Sequence, residues 1–337
     1  MRYGSVCSGI EAATAAWHPL GWEPAFFSEI EPFPRAVLSH HYPDVPLHGD
    51  FTTIGADEYG PIDLLVGGTP CQSFSIAGLR GGLDDDRGNL ALEFLRLAQR
   101  TRAKWLVWEN VPGVLSSNRG RDFGTFLGAL GKLGFGFAYR VLNAEYFGVA
   151  QRRRRVFVVG YLGDWRRAAA VLFERESLSG HPAPSREARE EVAKCLTSRV
   201  GSAYDAQTEQ FVTEQQKVNA ITASYGMGGV DLETKPVVYG WNNEFNGAKE
   251  LMPTIQRGGQ GGSQDGMMQR DMKVRRLTPI ECERLQGFPD NYTQIPWRNK
   301  NAEDCPDSPR YKAMGNSMAV PVMRWIGERI QMVEDMA

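Results

Sequence analysis

The sequence IDLLVGGTPCQSFS occupies residues 62–75 and decides the predicted fold. It begins with a short apolar run that two glycines end, which is typical of a buried strand. Pro70 fixes its own φ and biases Thr69 toward an extended conformation, so Cys71 follows a rigid loop. Ligand sites of open α/β sheets lie beyond the carboxyl ends of the strands. The pattern predicts an α/β fold with Cys71 as a candidate functional residue, and a buried structural cysteine is the alternative.

The composition of the chain predicts a soluble globular protein. Its 337 residues are 42% hydrophobic and 23% charged, which suits one large domain or two modest ones. The sequence has no apolar run of about 18 residues and no leader peptide, so we expect a cytoplasmic protein without a membrane partner. The five cysteines are far apart and never in C-x-x-C spacing. This spacing indicates neither a disulfide framework nor a metal site.

Two strand–turn–helix units precede the opening stretch. In the first, Ser8 is the predicted helix cap, and Gly9 would let the backbone approach a ligand at the helix N-terminus. The second strand ends at Glu29, the position that binds ribose hydroxyls in dinucleotide folds. Asp50 follows a predicted third strand, where it could accept a hydrogen bond from an adenine amino group. Singly, both carboxylates are more often loop or cap residues, but together they favour an adenosine-containing cofactor.

A third candidate carboxylate follows the apolar strand at residues 105–108. Glu109 comes at the carboxyl end of this strand, and Cys71 comes just beyond the carboxyl end of the earlier one. A carboxyl group placed beside Cys71 would be partly desolvated, which raises its pKa toward use as a general acid. An exposed glutamate at a strand end is the alternative.

The sequence QRRRR at residues 151–155 runs directly into an apolar strand at 156–159. Strand alternation puts Gln151, Arg153 and Arg155 on one face. We expect at least one face to contact an anionic group, whereas a solvated basic run is the usual alternative.

The composition changes between about residues 177 and 272, where apolar periodicity fades and polar residues and glycine increase. This pattern predicts short β segments joined by polar loops, with a disordered insertion as the alternative. The wider segment 151–276 holds 19 Lys+Arg against 15 Asp+Glu, a small positive surplus that suits a polyanion partner. Its densest glycine run begins at Arg257. Beyond it, a helix is predicted from Pro279 through Leu285, and Gly315-Asn316-Ser317 is predicted to begin the last helix.

Taken in order, these segments resemble the DNA (cytosine-5) methyltransferase family of bacteria and phages. Six motifs carry the resemblance, with a variable insert where the family has its target recognition domain. They are Val6–Ile10, the Pro-Cys loop Thr69–Ser75, Glu109-Asn110-Val111, the pattern Gln151-x-Arg153-x-Arg155, Arg284–Pro289 and Gly315-Asn316-Ser317. Two departures concern the first motif, since the family commonly has phenylalanine where this chain has Cys7, and glycines where it has Glu11 and Ala12.

The resemblance implies a doubly wound, mostly parallel, Rossmann-like sheet. Residues 1–164 and 312–337 would form the S-adenosylmethionine-binding catalytic domain. Residues 165–311 would form a smaller, β-rich and loop-rich target recognition domain. The implied partner is double-stranded DNA, and a monomer is expected because one asymmetric site needs no partner subunit.

The resemblance also implies the chemistry and its residues. A cytosine leaves the duplex stack, Cys71 adds to its C6, and C5 takes a methyl group from S-adenosylmethionine. Glu109 would contact N3 and the exocyclic amine, Arg155 would contact O2, and Arg153 would orient the site. The donor would be held by Gly9, Ile10, Glu29, Ile30, Asp50, Phe51, Pro70, Leu90, Asn316, Ser317 and Met318. The expected DNA contacts are Gln72, Ser75, Arg87 and Arg257.

Three other functions remain as alternatives. A tRNA cytosine-5 methyltransferase of the same fold is disfavoured because this chain lacks the Cys-Phe-Thr element of that subgroup. A catalytically silent DNA-binding relative would not need Cys71, Glu109 and Arg155. A thiol redox enzyme is disfavoured because no C-x-x-C partner is present.

Overall fold

The structure is a computed structural model that describes residues 1–70, 89–173, 193–194, 211–213, 238–241, 266–269 and 274–336. Five of the expected site residues therefore lie outside the described residues: Cys71, Gln72, Ser75, Arg87 and Arg257.

The described chain is mixed α/β, as predicted. Its strands through residue 162 are β1 (Arg2–Val6), β2 (Glu23–Ser28), β3 (Leu47–His48), β4 (Leu64–Gly67), β5 (Trp105–Asn110), β6 (Phe135–Asn143), β7 (Gln151–Arg152) and β8 (Arg154–Leu162). Seven of them form one sheet in the order β3-β2-β1-β4-β5-β8-β6. The first five strands in this order are parallel, and β8 is antiparallel to both β5 and β6. The expected mostly parallel sheet is confirmed.

Eight α-helices belong to the described residues. They are α1 (Ala12–Trp17), α2 (Pro32–His41), α3 (Leu90–Arg100), α4 (Arg121–Lys132), α5 (Trp165–Leu172), α6 (Pro279–Gln286), α7 (Asp307–Asn316) and α8 (Val320–Asp335). The start of α6 follows from its sequence, because Thr278 and Glu281 form a capping box and Pro279 occupies the first turn.

The core has a cluster on each face of the sheet, which is the doubly wound arrangement. One cluster joins the inner faces of α1, α5 and α8 to α6 and α7, with Trp17 and Ile326 fully buried in it. The other cluster is built from α3 and α4, with Phe94 and Phe126 fully buried.

The middle segment contributes short strands. These are β9 (Ala193–Lys194), β10 (Phe211–Thr213), β11 (Val238–Trp241), β12 (Gly266–Gln269) and β13 (Val274–Arg276). Strand β7 pairs with β9, β10 with β13, and β11 with β12, each pair forming a two-stranded sheet apart from the main one. The main sheet thus owes its strands to residues before 163.

The packing suggests different domain boundaries from those expected. Helix α5 begins at Trp165, yet Ala168 and Leu172 are buried in the main core. Phe288 and Tyr292 are buried in the same cluster, and the Tyr292 hydroxyl donates to the Ile10 carbonyl at 2.9 Å. We therefore propose that the catalytic domain extends through Phe173 and resumes near Leu277.

Two local expectations were wrong. Ser8 does not cap α1, because its hydroxyl donates to the carbonyls of Ser5 and Ser28, and Glu11 occupies the capping position. Gly315-Asn316-Ser317 does not begin the last helix, because α7 ends at Asn316 and α8 begins only at Val320. Pro321, in the first turn of α8, was the overlooked start signal.

Neither a membrane-spanning helix nor a metal-binding cluster occurs among the described residues. No helix there is long and apolar enough to cross a membrane. Nor does that part of the chain bring together three or more His, Cys, Asp or Glu side chains that could hold a metal ion.

Candidate active site

The strand order creates a crevice between β1 and β4. The chain moves outward from β1 to β2 and β3 and then returns to β4 on the other side of β1. The loops that leave β1 and β4 therefore diverge, and such a switch point is where open α/β sheets bind ligands. A pocket lies here, lined by Ser5, Val6, Cys7, Ser8, Gly9, Glu11, Ala12, Ala13, Val66, Gly68, Glu109, Asn316, Ser317 and Met318. Five expected site residues meet in it: Gly9, Glu109, Asn316, Ser317 and Met318.

The loop after β1 has an unusual backbone. Cys7, Gly9 and Glu11 all have positive φ, at 48°, 56° and 66°. For Cys7 and Glu11 this conformation is strained, and such strain persists where the surrounding structure enforces it, often at functional sites. Gly9 carries no such cost, and the space its missing Cβ would occupy is open. The loop therefore leaves room for a ligand directly above β1.

Glu29 ties this loop to the end of β2. Its Oε2 accepts a hydrogen bond from the Gly9 amide at 2.8 Å, and its Oε1 accepts from the amides of Ile30 and Glu31, each at 2.8 Å. Each carboxylate oxygen has two acceptor positions, so Oε2 keeps one for a further donor. The side chain is thus fixed between the end of β2 and the loop after β1, and its ribose-binding role stays a prediction.

The other residues expected to bind the methyl donor differ in how far their side chains are exposed. Ile30 is 70% exposed beside Glu29, and Asp50 is exposed and caps a short 3₁₀ helix through the Thr52 amide. The side chains of Ile10 and Phe51 are buried in the core, so direct contact of these side chains with a ligand would need movement. Pro70 is exposed, and Leu90 is half-buried at the start of α3.

The chain is held firmly up to Thr69, two residues before Cys71. The Trp108 indole donates to the Thr69 hydroxyl at 2.9 Å, and the Asn110 amide donates to the Thr69 carbonyl at 3.0 Å. Both donors belong to β5, the strand that also carries Glu109. The described chain therefore enters the Pro-Cys loop from a fixed point beside Glu109. Neither Trp108 nor Asn110 was among the site residues expected from the sequence, although Asn110 belongs to the Glu109-Asn110-Val111 motif.

Glu109 and Arg155 form an ion pair at the same edge of the sheet, with Glu109 Oε1 and Arg155 Nε 3.0 Å apart. The antiparallel direction of β8 explains the contact, because β8 begins where β5 ends and Asn110 pairs with Val156. Burial raises the pKa of the Glu109 carboxyl, and the charges of Arg153 and Arg155 oppose this rise without cancelling it. A carboxyl with a raised pKa beside two guanidinium groups can hold a proton and give it up.

The expected alternation of the basic run is confirmed. Gln151 and Arg153 are buried, whereas Arg152 and Arg154 are exposed. Arg153 donates to the Gly315 carbonyl at 3.3 Å, near the end of α7. This contact joins the arginine motif to the closing segment, residues 315–318, three of which line the pocket.

Gly68 separates Glu109 from that closing segment. A Cβ at this position would lie 3.1 Å from Glu109 Oε2 and 3.2 Å from Met318 Cε. Both contacts are tighter than ordinary van der Waals separation, so a side chain here would push on the pocket wall. Glycine at position 68 is thus explained by the close approach of the loop after β4 to Glu109 on one side and to Met318 on the other.

Cys7 lines the pocket but differs from a reactive thiol. Burial, with further contributions from Glu29 and Asp50, raises the pKa of the Cys7 thiol to about 12. Because the thiolate is the nucleophilic form, Cys7 is chemically quiet near neutral pH. This agrees with Cys7 as pocket wall.

Comparisons with known proteins agree with this architecture. A Dnmt2 methyltransferase from S. pombe has a similar fold, with a TM-score of 0.57 over 100% of this chain and 99% of that chain, at 14% sequence identity. The type II methyltransferase M1.ScrFI of Lactococcus lactis subsp. cremoris is 32% identical over 311 residues, which cover 90% of this chain and 71% of that protein.

A longer relative is named for different chemistry. The DNA N-6-adenine-methyltransferase of Escherichia phage P1 is 36% identical over an alignment that covers 97% of this chain. This chain spans only 61% of that protein's length. A family model described as C-5 cytosine-specific DNA methylase matches residues 1–332. The chain belongs to the family of C-5 cytosine-specific DNA methylases.

Proposed function

We propose that this protein transfers a methyl group from S-adenosylmethionine to C5 of a cytosine that it swings out of duplex DNA. The observation that carries the proposal is the ion pair between buried Glu109 and Arg155. Glu109 lies on β5, the strand whose Trp108 and Asn110 fix the entry to the Pro-Cys loop. Glu109, which would contact the target base, and the candidate nucleophile Cys71 would thus act from the ends of the neighbouring strands β5 and β4.

The residues of the crevice fit the methyl donor. Glu29 has an acceptor position suited to a ribose hydroxyl, and Gly9 leaves open space above β1. Asp50 and Ile30, both exposed, would contact the adenine, and residues 316–318 would close the pocket. When bound, S-adenosylmethionine supplies an electrophilic methyl group.

The protein groups would act in a fixed sequence. The Cys71 thiolate forms a bond to C6 of the cytosine while Glu109 protonates N3, so electron density moves to C5. Arg155, paired with Glu109, would contact O2, and Arg153 would hold the site through the Gly315 carbonyl. In the closing step a base from solvent would take the C5 proton, the sulfur–C6 bond would break with Cys71 leaving as thiolate, and N3 would return its proton to Glu109.

Duplex DNA would lie across the crevice. The target base must leave the stack because its ring atoms are inaccessible within it. Gln72, Ser75, Arg87 and Arg257 remain the proposed DNA contacts. With DNA as the substrate, the protein would act in the cytoplasm of a prokaryotic or phage-infected cell. It would act as a monomer, because one asymmetric site needs no partner subunit.

Methylation of the adenine amino group is the second candidate, because the phage P1 relative carries that name. An exocyclic amine already has a nitrogen nucleophile, whereas C5 of cytosine becomes nucleophilic only after addition at C6. A Pro-Cys loop that adds to C6 and a buried Glu109 that protonates N3 are required only for reaction at C5 of cytosine. They therefore favour cytosine.

A covalent trap tests the proposal. Duplex DNA containing 5-fluorocytosine should form a complex that survives denaturation, since the fluorine cannot leave as a proton does. Cys71→Ser should abolish this complex, and Cys7→Ser, the matched control, should retain it. An active enzyme that forms no adduct would rule out the addition scheme, and an adduct on tRNA alone would favour the tRNA alternative.

A further inference from the structure

The strained loop after β1 carries a buried carboxyl group that neither the catalytic steps nor the family pattern uses. Glu11 is 1% exposed and lines the pocket. Its Oε1 accepts a hydrogen bond from the Thr14 amide at 3.2 Å, which caps α1. Its Oε2 is buried and makes no hydrogen bond with any residue that the structure describes. Half of the carboxylate is therefore available to a ligand.

Three hydroxyl groups lie near Glu11, those of Ser5, Ser8 and Thr14, and none of them makes a hydrogen bond to its Oε2. The Ser8 hydroxyl donates to backbone carbonyls, and the hydroxyls of Tyr3 and Thr14 share a hydrogen bond of 2.6 Å. Burial raises the pKa of Glu11 to about 7, and hydrogen-bonding groups of Ser5, Thr14 and Ser8 oppose the rise. Within the described chain, no basic side chain is among these groups.

The pocket as a whole has the same electrostatic character. Its described lining contains two carboxyl groups, Glu11 and Glu109, and no lysine, arginine or histidine. Glu109 already has Arg155 as its partner at 3.0 Å. Strand β4 separates β1 from β5, so Glu11 follows a strand about 10 Å from that of Glu109. Glu11 and Glu109 thus enter the pocket from strands that are not neighbours in the sheet.

Resting on the proposed function, we propose that Glu11 binds the α-ammonium group of the methionine part of the methyl donor. The ammonium donates to Oε2, while Oε1 keeps the cap of α1. The buried carboxylate gains the cation that the protein itself does not supply. Glycine, common at this position in the family, has no side chain to do this.

Three chemically matched ligands test the assignment. S-adenosylhomocysteine carries the ammonium group, its analogue with hydrogen in place of the amino group lacks only that, and 5′-methylthioadenosine lacks the whole amino-acid end. Calorimetry should show that Glu11→Gln weakens S-adenosylhomocysteine by about ten- to a hundredfold, as expected for one charge-assisted hydrogen bond. Binding of the other two ligands should change by less than about threefold.

A second variant guards against misfolding. Glu11→Gly suits the positive φ of 66° and restores the family's residue, so it should fold. It should show the same selective loss for S-adenosylhomocysteine. Equal losses for all three ligands, or no loss for either variant, would overturn the role of Glu11. If the unaltered protein binds none of the three, the proposed donor itself is wrong, and the inference falls with it.

Discussion

Two buried glutamates, Glu11 and Glu109, line the same pocket in different electrostatic settings. Burial raises the pKa of both carboxyl groups. Glu109 has Arg153 and Arg155 to oppose that rise, whereas Glu11 has only hydrogen-bonding groups of Ser5, Thr14 and Ser8 among its described neighbours. The comparison teaches that burial alone does not define a role. A carboxyl with built-in cations suits proton exchange with a base, and one without them suits a ligand that brings its own cation.

The largest expected effect belongs to Glu109. Glu109→Gln keeps the shape of the side chain but cannot transfer a carboxyl proton, so methyl transfer at saturating donor should fall by about 10²- to 10⁴-fold. Binding of S-adenosylhomocysteine, measured by calorimetry, should stay near that of the unaltered protein. A rate within about threefold of the original would contradict the role of Glu109 as proton donor.

Removal of the neighbouring cation should have the next largest effect. Arg155→Gln removes a group that lowers the pKa of Glu109, so this pKa should rise further. If protonated Glu109 is the active form, the alkaline fall in the rate should move to higher pH. The rate itself should fall by about 10²-fold, as when one charge-stabilising donor is lost. Arg155→Lys keeps the charge, so an equal shift of its pH profile would contradict this explanation.

Substitution of Glu11 should instead change how the free energy of unfolding of the ligand-free protein depends on pH. Its pKa is raised to about 7 in the folded protein, so folding is favoured while Glu11 is protonated. This contribution is fully present below about pH 4.5 and is lost as the pH rises through about 7. Between pH 5 and pH 8, the free energy of unfolding of the unaltered protein should fall by on the order of 3 kcal/mol because Glu11 ionises. In Glu11→Gln this part of the fall should be absent, as measured by urea unfolding.

The groups facing Glu11 do not titrate in this range. They are Tyr3, Tyr42 and Tyr292, whose phenol pKa values burial raises above their ordinary value near 10. Glu109 contributes with the same sign but is unchanged between the two proteins being compared. Equal pH dependence in both proteins would show that Glu11 is ionised throughout.

The smallest effect is expected at the pocket's own thiol. Because the pKa of Cys7 is about 12, alkylation by iodoacetamide at pH 8 should be slow at this residue. Peptide mapping should locate faster labelling at Cys71. Cys7→Ala should leave methyl transfer within about tenfold of the original rate, and rapid modification of Cys7 would show that its thiol is ionised.

The sequence predicted the strands and their order along the chain better than the geometry of the loops. Apolar runs that end in glycine or a polar residue marked β1, β2, β4 and β5, since burial on both faces of a parallel sheet selects such runs. The antiparallel direction of β8 left no comparable signal. It is nevertheless what brings Arg155 beside Glu109.

Loop geometry was harder because it depends on tertiary packing. Ser8 has the right chemistry for a helix cap, but Glu29 holds Gly9, and the positive φ of Glu11 moves the cap three residues on. Strand ends and alternation singled out Glu109, Arg153 and Arg155 as candidates and the family resemblance suggested their roles, whereas Glu11 registered only as a departure. Its burial and its available oxygen become visible only when the loop is folded over β1.

Analysis of the methylated nucleosides tests the central claim most directly. Duplex DNA would be incubated with the protein and S-adenosylmethionine carrying a deuterated methyl group, then digested and analysed by mass spectrometry. We predict labelled 5-methyldeoxycytidine, which is lost in Cys71→Ser and strongly reduced in Glu109→Gln. Labelled N6-methyldeoxyadenosine, or label in tRNA and none in DNA, would contradict the claim.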